Sequence, residues 1–191
     1  ERERLFLGNF HQLARLFPGL KIVLEHISTA EAVDMVHDLG PNVAATITPH
    51  HLLLTIDDVL GQPHNFCKPV AKTLVDREAL RKAATSGNPK FFMGTDSAPH
   101  TRSNKYCGCA AAGCFVAPVA LPVYAQVFEE EAALDRLEDF CSRFGAEFYG
   151  LPLNQSHLTL VRKPWRVPYD CDGITPFLAE QELTWQVERS A

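Results

Sequence analysis

An α/β fold, arranged as part of a (β/α)8 barrel, is predicted by three features of the sequence. Short apolar runs alternate with amphipathic helical segments, an order that builds a parallel sheet covered by helices. No glycine-rich phosphate loop follows any strand, neither GxGxxG nor the Walker-type pattern, which removes the main sign of a doubly wound sheet. Histidine and aspartate fall where strands end and loops begin, the face on which a barrel carries its chemistry.

The elements follow in order. Leu5, Phe6, Phe10, Leu13, Leu16 and Phe17 recur at three- and four-residue steps, which predicts a helix over residues 1–17. The opening is thus already in helical rhythm, as in a chain joined partway through a fold. "KIVLEH" is a β-branched run typical of a buried strand. "STAE" at 28–31 matches a capping box, with Ser28 as N-cap and Glu31 at the third helical position. The helix it opens, "AEAVDMVHDL", stops at Gly40-Pro41. "NVAATIT" is the second strand, closed by Pro49.

Next comes a loop-rich piece, with a short helix at "IDDVL" and a further short strand within "HNFCKPV". Asp76 opens a helix, "DREALRKAATSG", that Gly87 ends, and "KFFMGT" is the third strand. Two amphipathic helices are expected near 118–131 and 134–144. The tail carries two β segments, "HLTLVRKP" and "ELTWQV", around a proline-rich loop.

With 191 residues, the chain is long enough for a core. A net charge of −5 with no basic run gives nucleic-acid or anionic-membrane binding no electrostatic support. The longest apolar stretch, "CFVAPVALPVYAQVF", is interrupted by Pro118 and Pro122 and is shorter than a bilayer span. Cys67, Cys107, Cys109, Cys114, Cys141 and Cys171 are even in number, but this chain is neither small nor marked for export, so reduced thiols in a cytoplasmic protein are expected.

Two strands end alike: "KIVLE" delivers His26 and "KFFMGT" delivers Asp96. On one face of a parallel barrel the two side chains can converge, and imidazole with carboxylate suits zinc or a similar divalent ion. An aspartate at an open metal site also accepts protons. Taken singly, a strand-end histidine is a hydrogen-bonding residue and a strand-end aspartate a helix cap. "TITPHH" brings His50 and His51, of which an extended chain turns at most one toward a site. His37 is expected on an exposed helical face, and His64 and His157 have weaker claims.

The segments "LEHIST", "AATITPHHL", "FFMGTDSAPH", "CGCAAAGCF", "VFEEEAALDRLEDFCSRFGAEFYGLP" and "TPFLAEQELTW" stand in the order and spacing of dihydroorotases. The chain resembles the stand-alone bacterial and fungal type of that family, from "KIVLEH" to the tail. The resemblance implies the C-terminal part of a (β/α)8 TIM-type, metal-dependent hydrolase barrel of the amidohydrolase superfamily. Residues 1–191 would then form a single partial domain with short C-terminal β segments. It implies the reversible cyclisation of N-carbamoyl-L-aspartate to L-dihydroorotate in pyrimidine biosynthesis, through a hydroxide bridging two Zn2+ ions. His26 is implied as a metal ligand, and Asp96 as a metal ligand that also shuttles the proton. His100 is implied to hold the substrate carboxylate, Ala112 to contact the substrate through its backbone, and Lys68 to reach the substrate ring through its main chain. His51 matches a family histidine read as structural.

The loop "CGCAAAGCF" is a residue or two longer than the family pattern, and Ala112 is preferred to Ala110 because it directly precedes "GCF". The family's HxH pair, its carboxylated lysine, a further histidine ligand, and the arginine and asparagine that meet the substrate carboxylate all precede the segment matched here. The partners implied are the small-molecule substrate and, in the complete enzyme, a second copy of the chain as a homodimer; nucleic acid and membrane are not. Three other readings stand beside this one. The first is a hydantoin- or allantoin-ring opener of the same superfamily. The second is a catalytically inactive fragment. The third is a zinc-binding module on Cys107, Cys109 and Cys114 with Cys67 or a histidine, whose C-x-C spacing fits structural zinc poorly. Small buried thiols in a tight loop are the plainer reading of that cysteine cluster.

Overall fold

The computed structural model describes residues 2–188. Helix α1 (Arg2–Leu16) buries Leu7, Phe10 and Ala14, one stripe at three- and four-residue spacing. Leu5, Phe6, Leu13 and Leu16 lie exposed on its other sides. The predicted position 1 of this helix lies outside the described residues.

Three parallel strands follow: β1 (Ile22–Leu24), β2 (Val43–Ile47) and β3 (Phe91–Met93), in the order β1-β2-β3. Ile22 pairs with Val43, and Ala45 with Phe91. The central strand β2 is apolar almost throughout because both of its faces are covered. On one face Val43, Ala45, Ile47 and Phe91 join the main core with residues of α2 (Ala30–Asp38), α5 (Leu74–Thr85) and α7 (Ala120–Glu130). On the other, Ala44 and Phe92 meet Phe144 and Phe148 of α8 (Phe144–Tyr149).

Several expected boundaries move. The N-cap of α2 is Thr29, whose Oγ1 accepts from the Ala32 N–H at 3.2 Å. Ser28 is engaged elsewhere: its N–H and hydroxyl donate to Glu3 of α1, and its Oγ accepts from the Lys72 ammonium at 2.9 Å. Asp76 does not open α5 but sits at its third position, with Thr73 as N-cap. The Asp76 carboxylate accepts from the Thr73 N–H (3.1 Å) and hydroxyl (2.6 Å), while Thr73 Oγ1 accepts from the Asp76 N–H. "HNFCKPV" forms no strand. A 3-10 turn, Pro63–Asn65, leads into a chain with a cis Lys68–Pro69 bond. Pro49 begins α3 (Pro49–Leu53) as well as ending β2, so His50 and His51 are helical rather than extended.

Past β3, the helix expected over 134–144 is divided into a 3-10 turn at Leu134–Arg136 and a π turn at Asp139–Arg143, which runs into α8. The tail forms an antiparallel hairpin of β4 (Leu160–Arg166) and β5 (Glu182–Val187), with its register broken between Arg162 and Trp165, where Pro164 can give no ladder hydrogen bond. Trp185 Nε1 donates to Glu129 Oε2 at 3.0 Å and fastens this hairpin to α7.

Asp76 is the main polar tie between these layers. Its other oxygen accepts from the Ala30 N–H of α2 at 3.0 Å and from Arg4 of α1 at 3.2 Å. Burial pushes its carboxyl up, but the hydrogen bonds from Thr73 and Ala30 and the Arg4 charge hold it below 3.8. A depressed folded value stabilises above the unfolded one, and that stabilisation is lost as pH falls through the folded value. Acid titration is therefore expected to loosen the α1–α2–α5 corner below about pH 4. Asp76→Asn, which keeps the shape but not the charge, is expected to cost about 2–4 kcal/mol by urea denaturation and to flatten that acid dependence.

Candidate active site

Neighbouring strands lie about 4.8 Å apart, so the C-terminal ends of β1 and β3 share one sheet edge about 10 Å apart, with β2 between them. His26 follows β1 and Asp96 follows β3, and both hold a left-handed backbone that side-chain-bearing residues seldom adopt (φ 45° and 43°). Backbone strain of this sort persists only where the surroundings over-determine it.

Thr46, near the end of β2, provides much of that determination. Its Oγ1 accepts from the His26 N–H at 2.7 Å, and its carbonyl accepts from the Ile27 N–H at 3.1 Å. On its other side it packs against Gly94, where an added Cβ would lie 2.5 Å from Thr46 Cβ. One threonine thus spaces the two strand ends. Glu3 completes the His26 turn by accepting from the Ser28 N–H (3.0 Å) and the Thr29 hydroxyl (2.8 Å). Thr46→Val should cost about 1–3 kcal/mol, the value of a buried donor left unmet. Thr46→Ser should recover most of it, both read from urea midpoints.

His26 Nδ1 is buried and has no hydrogen-bond partner. A polar atom left this way inside a fold calls for an explanation, and a metal ion supplies one. The Asp96 side chain is exposed at the same edge. Its segment is pinned by the Gly94 N–H to the Ile47 carbonyl (3.4 Å) and the Ala98 N–H to the Cys114 carbonyl (2.9 Å). The imidazole and carboxylate therefore fit a divalent cation in donor chemistry.

A second group joins His100, Ala112 and the chain leading to Lys68. His100 Nε2 donates to the Ala112 carbonyl at 3.1 Å, so that nitrogen carries the proton and Nδ1 is left to face a ligand. The Gly113 N–H donates to the Phe66 carbonyl at 2.8 Å, which draws the 111–114 loop onto the segment before Lys68. The Lys68 side chain is exposed and makes no hydrogen bond with the described residues, in keeping with a backbone contact.

The histidines left open by the sequence are now placed. His50 and His51 are both fully buried. His51 is saturated, bonding Thr48 Oγ1 (2.7 Å) and the Pro69 carbonyl (2.9 Å). Neither ring nitrogen of His50 has a partner, and His50, Cys67 and Cys114 hold their ligand atoms within 4.8 Å of one another. His37 is exposed, as expected.

All six cysteines are unpaired. The cluster expected as buried thiols divides: Cys114 is buried, whereas Cys107 and Cys109 are exposed with sulfurs 3.8 Å apart. The cysteines of a zinc module therefore do not come together as one set. The buried ammonium of Lys105 is bonded to the Phe66 and Gly113 carbonyls, which directly precede Cys67 and Cys114, and its positive charge opposes a further cation there. The sequence marks none of Thr46, Glu3 and Lys105: Thr46 and Glu3 act through hydrogen bonds to segments 20 or more residues away, and Lys105 through carbonyls that converge only in the folded loop.

No family model matches the sequence. The chain is 50% identical to a dihydroorotase of Coxiella burnetii over 98% of its own length and 56% of the relative's. With a dihydroorotase of Nitrosococcus oceani the identity is 48%, at the same coverage. The chain thus spans a little over half the length of these curated relatives. Among solved structures, the Saccharomyces cerevisiae dihydroorotase in complex with 5-fluoroorotic acid superposes with a TM-score of 0.91 at 42% identity, over 97% of this chain and 56% of that one. The L-hydantoinase of Arthrobacter aurescens superposes with a TM-score of 0.81 at 18% identity, over 95% of this chain and 45% of the other, a likeness of fold alone. The three strands and their helices are thus the later part of an amidohydrolase barrel.

Proposed function

Since the chain is homologous over nearly its whole length to the C-terminal part of dihydroorotases, we propose that it forms the later wall of a dihydroorotase active site, as a single partial barrel domain, and serves the reversible cyclisation of N-carbamoyl-L-aspartate to L-dihydroorotate. The observation that carries this reading is the pair of left-handed strand ends, His26 and Asp96, with the His26 Nδ1 buried and unpartnered.

His26 and Asp96 are the residues of this chain that would hold metal. Bound there, divalent ions would lower the proton affinity of a water and polarise the ring carbonyl. Zinc as the metal, two ions as the number, and a homodimer as the assembly rest on the family resemblance.

In the hydrolytic direction the ring C–N bond breaks, the attacking water loses a proton and the departing nitrogen gains one. Asp96 carries that proton, reversing its path when the ring closes. The pinned backbone on either side of Asp96 fixes where its side chain leaves the sheet edge. His100 meets the substrate carboxylate through Nδ1, which donates when the ring is cationic. The Ala112 and Lys68 backbones hold the rest of the substrate.

The test is turnover by the protein expressed from its complete coding sequence. Cyclisation of N-carbamoyl-L-aspartate should exceed hydantoin and allantoin hydrolysis by a wide margin, and the reverse order would sink the reading. Elemental analysis should find zinc in the purified protein and less of it after His26→Ala. Metal-loaded protein without activity on any of these compounds would support the inactive alternative.

A further inference from the structure

Lys105 ends the short helix α6 (Arg102–Lys105), in a loop where a lysine would ordinarily reach water, yet it is only 2% exposed. Its ammonium donates to three main-chain carbonyls: Phe66 at 3.1 Å, Ala111 at 2.8 Å and Gly113 at 2.8 Å. That uses all three of its protons. Among the described residues no carboxylate pairs with it, so the charge is met by carbonyl dipoles alone. Burial lowers its proton affinity.

The consequence lies on the far side of those peptides. In a planar trans peptide the C=O and N–H point in opposite directions. Turning the Ala111 carbonyl inward to the ammonium therefore turns the Ala112 N–H outward. No group among the described residues accepts from that N–H. The Ala112 carbonyl meanwhile accepts from His100 Nε2. An unused backbone donor and an imidazole are thus set side by side, with a fixed positive charge behind them.

We propose that Lys105 is a positioning residue for substrate binding: it orients the Ala111–Ala112 peptide so that the Ala112 N–H and His100 together receive the substrate's carboxylate. Carbonyl dipoles gathered on a buried cation make the opposite face of the loop a donor surface, which suits an anion. Lys105 touches no substrate and acts through the loop. The geometry further implies that Phe66, whose carbonyl accepts from both Lys105 and the Gly113 N–H, carries this order to the backbone before Lys68. The inference rests on the dihydroorotase reading above.

The test compares wild type, Lys105→Met and Lys105→Arg, each expressed from the complete coding sequence. Lys105→Met keeps the apolar stem and removes the donors. It should raise KM for dihydroorotate about tenfold or more, the effect of losing one charge-supported contact, while kcat falls by much less. The dissociation constant of 5-fluoroorotate should rise in parallel. Lys105→Arg, whose planar fork cannot meet three converging carbonyls, should not restore KM. A purely structural lysine would lower the melting temperature and the yield of active protein but leave KM of the folded fraction unchanged, and that result overturns the proposal. Should neither variant fold, wild type labelled with [15N]alanine decides: the Ala112 amide must be among the resonances most shifted by 5-fluoroorotate, and an unmoved Ala112 amide is the overturning outcome. Wild-type protein that neither turns over dihydroorotate nor binds 5-fluoroorotate would overturn the functional reading and this one together. An active wild type with an unchanged Lys105→Met overturns only this one.

Discussion

Asp96→Asn is expected to lower kcat by about a thousandfold, within the range for loss of a positioned acid–base group, while leaving the fold intact. Asparagine is nearly isosteric and is among the residues most tolerant of the left-handed conformation that Asp96 holds at φ 43°. The side chain is exposed, so little packing changes, and the urea midpoint should move by less than about 0.5 kcal/mol. In the proposed reaction, the variant lacks the carboxylate that would take a proton from water and return it to the ring nitrogen. Turnover above about a tenth of wild type would show that another group moves the proton.

Gly113→Ala should have the largest effect on stability. Gly113 adopts φ 148°, where a side chain strains the backbone. An added Cβ would lie 2.6 Å from Ala98 Cβ, 2.8 Å from the Ala98 carbonyl oxygen and 3.1 Å from His100 Cδ2. The carbonyl cannot swing aside, because the Ala98 N–H on the same stretch of chain is tied to Cys114. Strain and overpacking together should cost about 3–5 kcal/mol, measured as a lower urea midpoint at unchanged slope. Because the clash falls between the 96–100 and 112–114 segments, the folded remainder should also show a higher KM. A loss below about 1 kcal/mol would mean that the loop relaxes freely, against the close packing seen here.

The three parallel strands were legible because each is a short apolar run followed by a polar end, and that contrast survives any change of surroundings. The Thr73–Asp76 box is written in the spacing of its two residues, yet in sequence Asp76 reads as the opener, and in the fold it stands at the third position with Thr73 as N-cap. Ser28 and Thr29 show why such boundaries slip by one. Either hydroxyl can cap a helix; Thr29 does so, while the Ser28 oxygen accepts from Lys72, 44 residues further along the chain. His50 and His51 turned helical because Pro49, read as a stop, also starts a helix.

The candidate site divides in the same way. His26, Asp96, His100, Ala112 and Lys68 were named from the sequence by residue type, strand-end position and family resemblance. Their supports were not: Thr46 between the strand ends, Glu3 behind His26 and Lys105 beneath Ala112 have side-chain chemistry that is ordinary for their positions. A lysine in a polar loop reads as a surface residue, and only the folded chain shows three carbonyls closing on it.

By itself, then, the sequence determined the alternation of strand and helix, the helix-capping chemistry and the identity of the donors, because these depend on residues within a few positions of one another. Tertiary structure alone decided which donors share an edge, which backbones are held left-handed and which peptide faces outward. Those outcomes are set by hydrogen bonds and close contacts between groups that become neighbours only when the chain has folded, such as Lys105 with the Phe66 carbonyl and Thr46 with His26 and Gly94.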